Sequence, residues 1–71
     1  MKKRSVTIAG HRSSITLEDA FWQELQLLAK SEKLSLNALI TRIDDTRPTG
    51  QNLSSALRLY ILDHLKKLSA Q

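Results

Sequence analysis

The stretch that decides the fold reads Arg12-Ser13-Ser14-Ile15-Thr16-Leu17-Glu18-Asp19-Ala20-Phe21-Trp22. The spacing of its apolar residues changes part-way along. Ile15 and Leu17 alternate with polar residues, which is typical of a half-buried strand. From Phe21 onward the apolar residues recur every three or four positions, as they do on one face of a helix. The stretch therefore predicts a short strand that runs directly into a helix.

The residues before this stretch predict a second strand. Residues 5–9 alternate in the same way, and Gly10-His11 can form a two-residue turn. A hairpin with this turn would pair Ala9 with Arg12, Thr7 with Ser14 and Val6 with Ile15. Its alternation would place Val6, Ile8, Ile15 and Leu17 on one face, and Arg12, Ser14 and Thr16 on the other. A simple loop at Gly10 is the alternative to the hairpin.

The rest of the chain predicts three helices. Acidic residues favour the N-terminus of a helix, and Ser or Asn can cap that terminus. Pro and Gly terminate helices. These signals predict helices over residues 18–32, 35–45 and 53–68, with Ser35 and Asn52 as caps of the second and third. The 71 residues suffice for one domain. The predicted fold class is therefore mostly α with a short N-terminal β ribbon.

The net charge of +4 lies entirely at the N-terminus. Residues 1–12 contain Lys2, Lys3, Arg4 and Arg12 without an acid, whereas residues 13–71 contain seven bases and seven acids. A basic arm over residues 1–4 suits a polyanion, either nucleic acid or an anionic membrane face. The membrane is the weaker candidate because only three charges cluster. A solvated terminus that binds nothing is the alternative.

Several function classes are disfavoured by what the sequence lacks. The absence of cysteine excludes disulfides, thiolate metal sites and cysteine nucleophiles. His11 and His64 are too few for a zinc site, and Asp44-Asp45 would point about 100° apart on a helix, too far for an acid–base pair. Gly10 and Gly50 are the only glycines, so there is no phosphate-binding loop. We expect no enzyme activity and no cofactor or metal, and we expect a soluble, cytoplasmic chain because no signal peptide or membrane span is visible.

Self-association is expected because a chain this short buries little surface. The third predicted helix is apolar nearly all round its middle, which indicates a contact with a second copy or with another protein. A central core helix within one subunit is the alternative. A lone strand over residues 12–17 would also have an unpaired edge. Two copies that pair antiparallel would satisfy that edge, so we expect a homodimer or a higher oligomer.

The order of basic arm, strand, helix, Leu-Ser turn and helix resembles the ribbon-helix-helix family, the MetJ- and Arc-type repressors. The resemblance covers about residues 12–46. Its elements are the strand of residues 12–17, the helix from Phe21 to Leu28, and Leu34-Ser35-Leu36-Asn37 opening the next helix. The runs Lys3-Arg4-Ser5-Val6, Gly10-His11-Arg12, Leu17-Glu18-Asp19-Ala20-Phe21-Trp22 and Asn52-Leu53-Ser54-Ser55-Ala56-Leu57-Arg58 are similar to a small bacterial subfamily.

The resemblance implies a homodimeric DNA-binding protein, a transcriptional regulator that inserts a β ribbon in the major groove. Arg12, Ser14 and Thr16 would then face the bases. The start of the second helix, around Ser35, Leu36 and Asn37, would offer backbone N–H groups to a phosphate. The basic arm of Lys2, Lys3 and Arg4 would add phosphate contacts. The alternative is an antitoxin-like module whose third helix, which the minimal family form lacks, binds a partner protein.

Overall fold

A computed structural model describes residues 2–69 of the chain. Its elements are β1 (Lys2–Ile8), β2 (His11–Leu17), α1 (Asp19–Ser31), α2 (Leu36–Thr46) and α3 (Leu53–Ser69). The two strands form an antiparallel ribbon, and the three helices follow it. The predicted fold class is therefore confirmed. No helix within residues 2–69 is long and apolar enough to cross a membrane.

The predicted turn and register of the hairpin are wrong. The turn consists of Ala9 and Gly10, with φ angles of 50° and 82°. Two positive φ angles define a type I′ turn, which matches the right-handed twist of the strands. The resulting pairs include Ile8 with His11, Thr7 with Arg12, Ser5 with Ser14 and Arg4 with Ile15. Because the register differs from the predicted one by two residues, every side chain keeps its predicted face.

The basic N-terminus is part of the hairpin instead of a free arm. β1 begins at Lys2, because β2 continues to Leu17 and pairs with the earliest described residues: Lys2 with Leu17 and Lys3 with Thr16. The first residue of the predicted arm, Met1, lies outside the described residues. The cations of β1 therefore alternate between the two faces of the ribbon.

One hydrophobic core joins the hairpin to all three helices. Its buried residues are Val6, Ile15, Leu17, Leu25, Leu28, Ala29, Leu39, Ile40, Ile43, Ala56, Leu57 and Ile61. The hairpin contributes three of them, each from the same face of the ribbon. The alternation of β1 and β2 thus attaches one face to the helices and leaves the other to solvent.

Side chains at the helix ends fix where the helices begin. The Ser35 Oγ accepts the Ala38 N–H at 3.1 Å, and the Asn52 Oδ1 accepts the Ser54 N–H at 2.8 Å, as the two predicted caps require. Glu18, before α1, makes no such cap. Its carboxylate instead accepts a hydrogen bond at 2.9 Å from Arg58 of α3. This bond holds the pKa of Glu18 below its ordinary value.

A second polar contact joins the three helices near the end of α1. Glu32 accepts a hydrogen bond from Arg42 of α2 at 3.1 Å and one from the Tyr60 hydroxyl of α3 at 2.9 Å. Desolvation, together with this bond to Glu32, raises the pKa of Tyr60. Both polar contacts lie among the helices, so they orient the helices on which the hairpin rests.

Candidate nucleic-acid interface

The solvent side of the hairpin is a continuous polar face. Six exposed residues form it: Lys3, Ser5, Thr7, Arg12, Ser14 and Thr16, hereafter the polar face. They pair across the ribbon as Lys3 with Thr16, Ser5 with Ser14 and Thr7 with Arg12. The face contains two cations, four hydroxyls and no acid. Such a surface can attract a polyanion and donate or accept hydrogen bonds.

Arg4 does not belong to the polar face. Its guanidinium forms an ion pair with Asp19 at 3.1 Å and lies 4.7 Å from the ring centroid of Trp22. Its Nε is buried without a hydrogen-bond partner among residues 2–69. These contacts attach β1 to α1 on the core side of the ribbon. Lys2 is exposed at the start of β1.

The start of α2 lies beside β1. The Asn37 Oδ1 accepts the Thr7 N–H at 3.3 Å, and the Thr41 Oγ1 accepts the Ala9 N–H at 3.3 Å. Two turns of α2 therefore follow the outer edge of β1. Of the two predicted phosphate-contacting residues, Asn37 is therefore next to Thr7 of the polar face, whereas Ser35 caps α2. Both side chains already bind backbone groups.

Ser5 and Thr7 lie on the polar face although the sequence predicts no binding role for them. Lys3, which is predicted as a phosphate contact on a basic arm, lies on the same face. Their signal was present in the alternation of residues 3–7, because Val6 is buried and each second residue from Lys3 must then face solvent. The residues predicted to contact bases are exposed together on one face of the ribbon: Arg12, Ser14 and Thr16.

A comparison with known protein families identifies the fold. The profile of the ribbon-helix-helix domain matches residues 1–65. The chain belongs to the ribbon-helix-helix family. This is in general a family of DNA-binding, transcription-regulator-type proteins. The match extends through both strands, α1 and α2 and into α3. Searches of curated proteins and of solved structures found no significant match.

Several ionisable groups of this ribbon-helix-helix chain are already engaged in ion pairs. Asp44 forms an ion pair with Arg47 at 2.6 Å. His11 is exposed at the hairpin end and His64 is half-buried on α3. Within residues 2–69 no three His, Cys, Asp or Glu side chains lie close enough to hold a metal ion. The chemistry that the polar face offers is hydrogen bonding and charge attraction.

Proposed function

We propose that this chain is a homodimeric transcriptional regulator of the bacterial cytoplasm that binds duplex DNA in a sequence-dependent way. The polar face would enter the major groove. The observation that carries the proposal is the composition of that face, which has two cations and four hydroxyls without an acid. Membership of the ribbon-helix-helix family supports the same function.

The dimensions of the hairpin agree with this role. The major groove of B-DNA is about 12 Å wide and admits a two-stranded β ribbon. Two neighbouring strands are about 4.8 Å apart, which leaves room for side chains on either side. The core attaches the other face of the ribbon to three helices, so the polar face is presented on a rigid support.

The residues of the polar face would divide into two roles. Arg12 can make a bidentate contact to guanine, whereas Ser14 and Thr16 can bind several bases and discriminate less. Lys3, with Lys2 at the start of β1, would contact phosphates and add affinity without specificity. The start of α2, with Ser35 and Asn37, would add a phosphate contact through its free N–H groups.

Arg4 would have a structural role instead of the phosphate contact that its charge implies. Its ion pair with Asp19 and its position over Trp22 orient it toward the core side of the ribbon. We propose that Arg4 positions β1 and makes no DNA contact.

A second function, binding of a protein partner, is favoured by one observation on α3. Leu59, Leu62 and Leu65 are 53%, 45% and 40% exposed. An exposed leucine cluster is typical of an interaction surface. Replacing both Leu62 and Leu65 by serine distinguishes the possibilities. A fall in the molecular mass measured by light scattering would assign the leucines to self-association. An unchanged mass together with unchanged DNA affinity would indicate that the leucines bind a different protein, as in an antitoxin-like module.

The test of DNA binding compares Arg12→Ala with Lys67→Ala, which removes the same charge from the far end of α3. A preferred site is first selected from random duplexes, and affinities are measured on that site and on random DNA at two salt concentrations. Arg12→Ala should weaken binding to the selected site by about 1–3 kcal/mol and binding to random DNA by less. Lys67→Ala should change both only slightly. Equal losses on both duplexes would reduce Arg12 to a phosphate contact, and no binding by the parent chain would overturn the proposal.

A further inference from the structure

The start of α2 follows the outer edge of β1 with a matching spacing. Asn37 and Thr41 are four residues apart, so they lie on one face of α2, about 6 Å apart along its axis. Thr7 and Ala9 are two residues apart, which is about 6.7 Å in an extended chain. The Asn37 Oδ1 accepts the Thr7 N–H and the Thr41 Oγ1 accepts the Ala9 N–H, each at 3.3 Å. One turn of α2 thus serves two N–H groups that point away from β2.

The end of the hairpin that carries the turn has little other support. The buried residues of the ribbon are Val6, Ile15 and Leu17. Residues 9–14 are all exposed, and Ile8 is only partly buried. Hydrophobic packing therefore holds the hairpin from its open end as far as Val6, whereas the turn end depends on Ile8 and on the two hydrogen bonds to α2.

A cleft separates the turn end from α2 beside these hydrogen bonds. Its volume is about 680 Å³, and its walls include Ala9 and Gly10 of the turn and Ala38 and Asp45 of α2. Close packing is what normally prevents an element from moving against its neighbour. Because the cleft is not filled by side chains, the turn end can move relative to α2 once the hydrogen bonds are removed.

We propose that Asn37 and Thr41 are positioning residues that set the sequence specificity of the polar face through Arg12. The inference rests on the proposed function, because it requires Arg12 to contact a base. Thr7 pairs directly with Arg12 across the ribbon, and Ala9 lies in the turn that leads to β2. The two hydrogen bonds therefore fix the position of Arg12 relative to the start of α2.

The position of Arg12 relative to the start of α2 matters because the two would contact different parts of the DNA. The start of α2 would bind a phosphate, which positions the protein, and Arg12 would bind a guanine edge, which specifies the sequence. A bidentate hydrogen bond tolerates little displacement, whereas attraction between cations and phosphates acts over roughly 10 Å. Loosening the turn end should therefore weaken specific binding and leave non-specific binding intact.

A direct contact of the same side chains with DNA makes a different prediction. The Asn37 amide and the Thr41 hydroxyl can each still donate a hydrogen bond to a phosphate. Such a contact carries no sequence information, so its loss would weaken binding to every duplex equally. The ratio of the affinities for the selected site and for random DNA therefore separates a positioning role from a phosphate contact.

Three threonine variants test the hydrogen bond itself. Thr41→Val keeps the shape of the side chain but has no acceptor for the Ala9 N–H, and Thr41→Ser restores the hydroxyl. Thr46→Val is the matched control, because the Thr46 hydroxyl donates within α2 to the Ile43 carbonyl at 3.1 Å. Amide hydrogen exchange measured by NMR should become roughly two- to tenfold faster at Ala9 in Thr41→Val. It should be unchanged in Thr41→Ser and Thr46→Val.

The affinities of the same variants are then measured on the selected site and on random DNA at two salt concentrations. Thr41→Val should lower the ratio of the two affinities by about fivefold, through weaker binding to the selected site. The salt dependence should match that of the parent chain, because no cation is removed. Thr41→Ser and Thr46→Val should keep the parent ratio. Asn37→Ala, which frees the Thr7 N–H, should lower the ratio as Thr41→Val does.

The outcomes separate this inference from the proposed function. Faster exchange at Ala9 with an unchanged affinity ratio would overturn the inference alone, and so would equal losses on both duplexes. An exchange rate of Ala9 that Thr41→Val does not alter would overturn it as well, because the contact would be absent. A parent chain that binds no duplex would overturn the proposed function and the inference together.

Discussion

The two faces of the hairpin share one backbone but differ in burial and in chemistry. On the core face Val6, Ile15 and Leu17 are 5%, 4% and 0% exposed. On the polar face all six residues are exposed. Because successive side chains of a strand point to opposite sides, neighbouring residues belong to different faces. The difference teaches that substitutions of adjacent residues can test core packing and the proposed DNA binding independently.

The largest effect is expected on the core face. Ile15→Ser replaces a buried side chain by a smaller one and buries a hydroxyl, so it should cost at least the roughly 2–5 kcal/mol of an Ile→Ala change. Urea unfolding followed by circular dichroism measures this loss. Ser14→Ala, on the adjacent exposed residue, should change the free energy of unfolding by less than about 0.5 kcal/mol. A folded Ile15→Ser chain with full DNA affinity would show that the faces are assigned wrongly.

The next effect distinguishes Arg4 from Lys3. Arg4→Ala removes the ion pair to Asp19 and the interaction with Trp22, and both are partly exposed. It should lower the free energy of unfolding by about 1 kcal/mol and leave the salt dependence of DNA binding unchanged.

Lys3→Ala should do the reverse. Its stability should match that of the parent chain, while the slope of log K against log salt should flatten by about 0.9 for each phosphate that the lysine neutralises. Fluorescence anisotropy at several salt concentrations measures the slope. A flatter slope for Arg4→Ala than for Lys3→Ala would exchange the roles of the two residues.

The smallest expected effect is a shift in the pKa of Tyr60, which lies away from the hairpin. It tests the packing of the helices that carry the ribbon. Tyr60 is the only tyrosine, so absorbance follows its ionisation directly. The pKa of Tyr60 should lie above the ordinary value of 10.0, and Glu32→Gln should bring it closer to that value. Since the folded chain keeps the proton longer than the unfolded chain, its stability should decline as pH rises above about 10. A pKa that Glu32→Gln does not lower would contradict the contact between α1 and α3.

The local pattern of the sequence predicts the elements well because each depends on near neighbours. The alternation around Ile15, the helical spacing from Phe21 and the caps Ser35 and Asn52 all have local causes. The hairpin turn was missed because Ala9 adopts a positive φ, which a non-glycine residue rarely does. Glycine at the second turn position is a type I′ signal, and Gly10 occupies that position, whereas the predicted hairpin places Gly10 first in the turn.

The candidate site was harder to predict because its boundaries depend on tertiary contacts. Charge alone groups Arg4 with Lys2 and Lys3. Only the packing of β1 on α1 brings Arg4 over Trp22, and only the corrected register aligns Thr7 with Arg12. Similarly, the contact between Asn37 and Thr7 joins residues 30 positions apart, which no local pattern encodes.

The most direct test of the central claim is a titration of the isotopically labelled chain with duplex DNA, followed by NMR at constant protein concentration. If the polar face binds DNA, the largest changes in backbone amide chemical shift should occur at its six residues. Smaller changes should occur at the start of α2. The exposed leucines of α3 should remain unchanged. Shifts that concentrate on α3 and leave Arg12 and Ser14 unaffected would contradict the assignment of the ribbon as the DNA-binding surface.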